Sequence, residues 1–274
     1  MQQTVLDKDM IAQPQLWRLI LMPGEERLDI ALLPPVAGEE IIWRTFAFDP
    51  SVPDRHKALQ DVVYENPLLL SDFKSVECIA DCGCFMALPA GLGEEGVSEA
   101  GHAVLAPDDE GCFVLTEPCG VSNAVIAQWI DDETHAFLSR TFFNIRFHSR
   151  MSRLIDYLAS LPCAGEGARM YVLTRDSEMT VVTLRDGSLL CANDFRYRSE
   201  SDAVYYLLAA AATLGLPAAT LPVAVGGDDA AALVDRLRPY LPGVRELDSP
   251  ALRYRAGRAT LDAPFDILIR QSCE

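Results

Sequence analysis

The sequence predicts a mixed α/β protein built from two similar domains. Each half opens with three short apolar or alternating runs bounded by turn residues, the pattern of an antiparallel meander. In each half a helical pattern and a further strand follow. The length of 274 residues suits two domains of ordinary size, and such a chain buries a core without covalent staples.

In the first half, Leu16 to Met22 ends at Pro23-Gly24, Leu28 to Leu33 at Pro34-Pro35, and Ile41 to Phe48 at Asp49-Pro50. Asp54 to Tyr64 fits a helix with Ala58, Leu59, Val62 and Val63 on one side. Val76 to Ala80 and Phe85 to Leu88 read as strands, and Gly91 to Gly111 as a loop with a short helix. Cys112 to Thr116, Val125 to Ile130 and His135 to Phe142 read as the closing strands. Phe147, Met151, Leu154, Ile155 and Leu158 recur at helical spacing and mark an amphipathic junction helix that Leu161-Pro162 ends.

The second half repeats the plan. Met170 to Thr174, Thr180 to Leu184 and Leu189 to Phe195 are its three strands, with Asp186-Gly187 a sharp hairpin signal. Ser201 or Asp202 is placed to cap a helix that Gly215 ends. Leu221 to Val225 reads as a core strand and Gly226-Gly227 as a turn into a helix lined by Leu233, Val234 and Leu237. Val244 to Leu247 and Phe265 to Ile269 are expected as late strands. The expected domains are residues 12–145 and 146–274, the second including the junction helix. Three strands, a helix and a strand, occurring twice, is the plan of the ribonuclease-H-like fold as duplicated in actin, sugar kinases and chaperone ATPases.

The runs Glu65-Asn66-Pro67-Leu68-Leu69, Phe73 to Ile79, Phe85-Met86-Ala87-Leu88-Pro89-Ala90-Gly91-Leu92 and Pro264-Phe265-Asp266-Ile267-Leu268, with Cys273-Glu274 at the end, carry a resemblance. They resemble an uncharacterised bacterial family, the domain-of-unknown-function family 3822, over essentially the whole chain. The resemblance implies an actin-like ATPase fold, hence two ribonuclease-H-like domains in an actin-like ATPase arrangement, and brings no activity.

In actin-like ATPases two hairpins, one opening each half, hold the phosphates. Each carries an Asp for the metal and a Gly that lets backbone N–H groups approach phosphate. Here the first turn, Met22-Pro23-Gly24-Glu25-Glu26, lacks the Asp, and two glutamates are expected to crowd the phosphate position. The second, Thr174-Arg175-Asp176-Ser177-Glu178, keeps Asp176 without its glycine. Gly226-Gly227 matches the turn that commonly contacts the adenosine end of the ligand. Asp228 and Asp229 follow it, where they can cap the helix themselves and repel a phosphate. The nucleotide-binding candidates are therefore Asp176, Gly226 and Gly227, no catalytic residue is assigned, and no cofactor is expected.

Other chemistry finds no footing. Cys78, Cys82 and Cys84 lack the second pair that a structural zinc site needs. His56, His102, His135 and His148 are scattered, and His148 reads as a surface or capping residue. Cys119 before Gly120 has no assignable base, and there is no nucleophile elbow or Walker A loop. The net charge is -17, with 24 Asp/Glu against 8 Lys/Arg in residues 1–140. Such a field repels nucleic acid and anionic membranes; it reads as a solvated surface that keeps the protein soluble or, more sharply, as the face that meets a basic protein partner. The N-terminus lacks a signal peptide, and the uncharged run Ala203 to Gly227 is broken by Gly215, Pro217 and Pro222, so a cytoplasmic protein without membrane insertion is expected. The expected function is a non-catalytic protein-interaction or scaffold module on a degenerate actin-like ATPase fold, with ATP an unlikely ligand. The alternative is an actin-like ATPase or phosphotransferase with unusual phosphate loops.

Overall fold

The computed structural model describes residues 5–36, 39–80, 84–105, 112–120, 123–162, 167–257 and 263–272. Strands β1 (Arg18–Pro23), β2 (Arg27–Leu33) and β3 (Ile42–Ala47) form the antiparallel opening. Helix α1 (Arg55–Glu65) begins at Asp54, whose carboxylate accepts the His56 and Lys57 N–H groups. Strand β4 (Ser75–Ala80) then pairs parallel with β1. After β4 the chain leaves this sheet through β5 (Phe85–Pro89), α2 (Gly93–Leu105), β6 (Cys112–Pro118) and β7 (Ala124–Asp131). Helix α3 (Asp132–Thr141) and strand β8 (Arg146–Ser149) return to it, and β8 pairs parallel with β4.

Helix α4 (Arg150–Ser160) leads into the second half: β9 (Ala168–Arg175), β10 (Glu178–Arg185), β11 (Ser188–Arg196), α5 (Glu200–Thr213), β12 (Val223–Gly227), α6 (Ala230–Leu237), β13 (Val244–Glu246), α7 (Pro250–Gly257) and α8 (Phe265–Ser272). The sheet orders are β3-β2-β1-β4-β8 and β11-β10-β9-β12-β13, the same topology twice, with a separate three-stranded sheet β5-β7-β6. This is the expected fold class. The anticipated division at 145/146 falls at the start of β8, which finishes the first sheet.

Alternation of buried residues on the strands sets the layers. Leu19 and Leu21 of β1 face a core shared with α1 and α3. Ile20 and Met22 face the opposite way, into a cluster with Met151, Leu154, Ile155 and Leu158 of α4. That cluster also holds Tyr171, Leu173, Val182 and Leu184 of the second sheet and Ile267, Leu268 and Ile269 of α8. One core therefore serves both halves. The outer face of the second sheet packs Met170, Val172, Met179 and Val181 against α5 and α6.

Several sequence-level expectations are corrected. His135 to Thr141 lies in α3, with Phe142 its C-cap, and Phe265 to Ile269 lies in the helix α8. Gly91 to Gly111 contains a helix of 13 residues, α2. The junction helix starts at Arg150, because residues 146–149 are strand. The α5 cap is Ser199: its hydroxyl accepts the Asp202 N–H, and Asp202 accepts the Ser199 N–H in return. The Asp186-Gly187 turn has φ of +50° and +78°, as a type I′ hairpin requires.

His148 is a half-buried fastener between sheets. Its Nδ1 lies 2.9 Å from Glu117 Oε1, and Arg153 Nη2 reaches the same oxygen at 3.2 Å. Glu117 Oε2 accepts the Ser149 N–H at 2.8 Å, so one glutamate of β6 ties the three-stranded sheet to β8 and α4. Cys82 of the cysteine trio lies outside the described residues, as do Cys163 and Cys273; Cys78 is buried and Cys84 exposed. Among the described residues no cluster of His, Cys, Asp or Glu suits a metal, and no helix is long and apolar enough to cross a membrane.

His135 on α3 stacks on Phe113 at 4.0 Å between ring centroids, with Phe147 at 4.5 Å. Burial pushes its imidazole below the ordinary value of 6.5, partly offset by Asp132. The unfolded chain therefore binds the proton more readily than the native one. The resulting stability is present above about pH 6.5 and is lost as pH falls through the depressed folded value. Thermal melts between pH 7.5 and 5 should show His135→Phe, which keeps the stack, losing less melting temperature on acidification than the parent. Equal losses would remove His135 from the acid response.

Candidate functional site

The two hairpins meet at the rim of the shared core. The β1–β2 turn is tied down from behind: Gly24 N–H donates to Arg27 O at 2.8 Å, Arg55 Nε to Gly24 O at 3.0 Å, and Phe48 N–H to Glu26 O at 2.8 Å. The β9–β10 turn is a two-residue connection, Asp176-Ser177, between paired Arg175 and Glu178. Asp176 there has a φ of +54°, which Asp tolerates better than most residues.

Between the hairpins lies a cavity of about 210 Å³. Arg27, Asp29, Arg175 and Asp176 line it from the hairpins, Gly227 and Asp228 from the end of β12, and Arg150 and Asp266 from the starts of α4 and α8. This is where the resemblance implies a nucleotide. Asp176 and Gly227 thus share one cavity, whereas Gly226 packs into the core beside Leu173 and Leu247.

Ion pairs cross the cavity. Arg27 Nη2 of the first hairpin donates to Asp176 Oδ2 of the second at 3.0 Å. Arg27 Nε donates to Asp29 Oδ2 at 3.2 Å, and Arg175 Nη2 reaches that same Asp29 oxygen from the opposite half. The Asp29 side chain is 4% exposed, so this carboxylate is held between arginines of both halves away from water. On the far wall Arg150 donates to Thr180 Oγ1 at 3.1 Å and pairs with Asp266 Oδ2 at 3.0 Å. Asp194, 3.8 Å from Arg150, is driven above the usual carboxylate range by burial, against the pull of Arg150 and the Thr180 hydroxyl.

Two expectations about the loops change. Glu25 and Glu26 do not crowd the cavity: both point outward, and Glu25 pairs with Arg196 of β11 at 3.5 Å. Arg27 and Arg175 occupy the space instead. Asp229 does cap α6 by position, at a φ of +53°, but its side chain makes no capping hydrogen bond. The neighbouring Asp228 N–H donates to Thr174 O at 2.9 Å, and the Thr174 hydroxyl donates back to Asp228 O. The Gly-Gly turn is thereby strapped to β9. A Cβ on Gly227 would sit 2.0 Å from Thr174 O, at a φ of +94°. Parallel pairing of β12 with β9 already explains this glycine.

The duplicated sheet topology, with a cleft between two opening hairpins, defines a protein of the actin-like ATPase fold. The chain belongs to the family described as proteins of unknown function (DUF3822), whose model matches residues 8–244. It is similar to a protein of unknown function with an actin-like ATPase fold from Bacteroides thetaiotaomicron, at 21% identity and a TM-score of 0.78. That likeness covers 99% of this chain and 100% of the other. A second solved structure with the fold is the PilM-PilN type IV pilus biogenesis complex, at 10% identity and a TM-score of 0.54, covering 94% of this chain and 98% of that one. A third is the cytoplasmic domain of EpsL, an inner membrane component of the type II secretion system of Vibrio cholerae. It has 11% identity and a TM-score of 0.45 over 94% of each chain. No curated protein matches the sequence.

Nothing in the sequence marks Arg27, Asp29, Arg150, Arg175 or Asp266 as partners, since Arg27 and Asp176 stand 149 residues apart. Their one visible signal is that Asp29 and Arg175 interrupt otherwise apolar strands. Two substitutions test the geometry. Gly227→Ala should lower the melting temperature by more than about 4 °C, since the backbone conformation alone costs about 1–3 kcal/mol. Gly226→Ala meets only movable leucine side chains and should cost less. Asp29→Asn leaves arginines of both halves short of charge and should cost about 3–5 kcal/mol in urea unfolding. Loss of the exposed Arg196 in Arg196→Ala should leave the urea midpoint nearly unchanged, since solvent screens a surface pair.

Proposed function

We propose that this protein is a non-catalytic protein-interaction or scaffold module whose nucleotide cleft has been replaced by an ion-pair clasp. The single observation that carries the reading is the path Asp176–Arg27–Asp29–Arg175, which links the two hairpins across the space a phosphate chain would need. Asp176, the one remaining metal-binding candidate, is engaged as an arginine partner. The Asp228 N–H, next to the glycine pair, is spent on Thr174. A charge-assisted hydrogen bond contributes about 1.5–3 kcal/mol. ATP would have to break several and supply equivalents to arginines already neutralised by aspartate.

The division of the molecule falls, on this reading, between β8 and α4, with two ribonuclease-H-like halves acting as one body through their common core. The partner is another protein and the setting cytoplasmic. The occurrence of the fold in the PilM-PilN complex, an assembly of two named proteins, supports a binding role. The negative field of residues 1–140 supports a basic partner rather than nucleic acid.

The second reading, an ATPase or phosphotransferase with unusual loops, is favoured by one fact: the cavity persists and Asp176 and Gly227 still line it. Its 210 Å³ falls below the roughly 300–1,000 Å³ of pockets that enclose larger ligands. Titration calorimetry with Mg-ATP and a phosphate-release assay separate the two readings. No micromolar binding and no release are expected. Micromolar binding that Asp176→Ala abolishes would establish the ATPase instead.

A further inference from the structure

Large exposed apolar side chains gather at one corner of the first half. The N-terminal arm runs beneath α1 and the 3-10 turn Pro67–Leu70 that follows it. Leu6 N–H donates to the buried Asn66 Oδ1 at 2.8 Å, and Leu68 N–H donates to Leu6 O at 3.1 Å. Farther along, Lys74 N–H donates to Trp17 O at 2.8 Å. Leu6 and Ile11 anchor the arm in the core beside Leu68 and Leu69. Around these anchors other apolar residues are exposed: Val5 at 53%, Met10 at 36% and Leu16 at 45% on the arm, with Tyr64 at 57% and Leu70 at 44% on the adjoining segment. Isolated exposed apolar residues are ordinary, whereas a gathering of them on adjoining segments marks an interaction surface.

The rim of this corner is acidic. Asp7, Asp9, Glu65 and Asp72 are all exposed, against Lys8 and Lys74. We infer that the corner formed by the N-terminal arm and residues 64–72 is a docking surface for a basic amphipathic segment of a partner protein. The inference rests on the interaction-module reading and names the surface and partner chemistry it lacks. Charge selects the occupant. A second copy would bring the same acidic rim, from a chain of net charge -17, against itself. A basic segment gains from that rim and buries its apolar side chains on Met10 and Leu70.

The probe is a labelled 18-residue helical peptide of Lys and Leu, compared with a Glu/Leu peptide and a Lys/Ser peptide of equal length. Fluorescence anisotropy should show the Lys/Leu peptide binding best, with affinity falling as salt rises. Hydrogen exchange should show protection over residues 5–16 and 64–72. Met10→Ser/Leu70→Ser should weaken binding by roughly tenfold or more, the effect of losing a buried leucine-sized contact. Asp9→Lys/Asp72→Lys should weaken it and flatten the salt dependence. Both variants sit on the surface, and matching melting curves would show them folded. Protection elsewhere, indifference to both variants, or equal binding of the Glu/Leu peptide would overturn the inference. So would a dimer in sedimentation velocity that Met10→Ser/Leu70→Ser dissolves, since the occupant would then be a second copy. Mg-ATP binding on the same preparations tests the module reading by itself, so its failure is distinguishable from failure of this surface.

Discussion

Each five-stranded sheet has two apolar faces, and helices of its own half cover the outer one. The first sheet turns Leu19 and Leu21 toward α1 and α3, and the second turns Met170 and Val172 toward α5 and α6. The remaining faces have nowhere to go except toward each other. Helix α4 fills the gap with Met151, Leu154, Ile155 and Leu158, and α8 fills it with Ile267, Leu268 and Ile269. Tyr157 binds this layer further, since its hydroxyl oxygen accepts the Ala251 N–H and its ring meets Phe265 edge-on at 5.6 Å. Burial of apolar area is the largest favourable contribution to folding, and here much of it lies between the halves rather than within them. The position of one half against the other follows from that single shared core.

The hairpins are carried to the rim by the strands that form this core. There the apolar contacts stop, and arginine and aspartate side chains from both halves face one another over a small cavity. A buried ion pair returns little net stability over a well-packed apolar pair, because desolvation offsets the attraction. Its value lies in selecting one arrangement. Asp29 is buried and, among the described residues, its Oδ1 has no hydrogen-bond partner. Arg27 and Arg175 meet at its other oxygen, so this one carboxylate fixes how the two hairpins face each other.

Much of the fold was legible in the sequence because alternation and turn chemistry are local. The meanders, the Asp186-Gly187 hairpin and helix α1 all depend on neighbouring residues. Helix α8 was not legible for a physical reason. Its first turns lie in the core between the sheets, so Phe265, Ile267, Leu268 and Ile269 are all buried and read as the continuous apolar run of a core strand. Helix α3 is short and carries Phe137, Leu138 and Phe142 in a spacing that either period fits. At the site, the glycines and Asp176 were visible as a motif. The arginines were not, because their partners come from the other half and only the shared core brings them within reach.

At the Gly226-Gly227 pair, strand packing alone accounts for a glycine. Strand β12 runs parallel to β9 with Gly227 opposite Thr174, and at that crossing no Cβ fits against the Thr174 carbonyl. Gly226 lies in the same strand where Leu173 and Leu247 close over the backbone. Gly227 is therefore required by the way two strands approach, whether or not a nucleotide ever sits beyond it, whereas Gly226 meets only side chains. The hairpin tips are free of that constraint. No packing demands a glycine after Asp176, and Ser177 and Glu178 stand there; Arg27 is free to turn inward and meet Asp176. The glycine that the strand crossing needs is present, and the hairpin tip, where no packing needs one, carries other residues; a shared fold does not by itself carry a function.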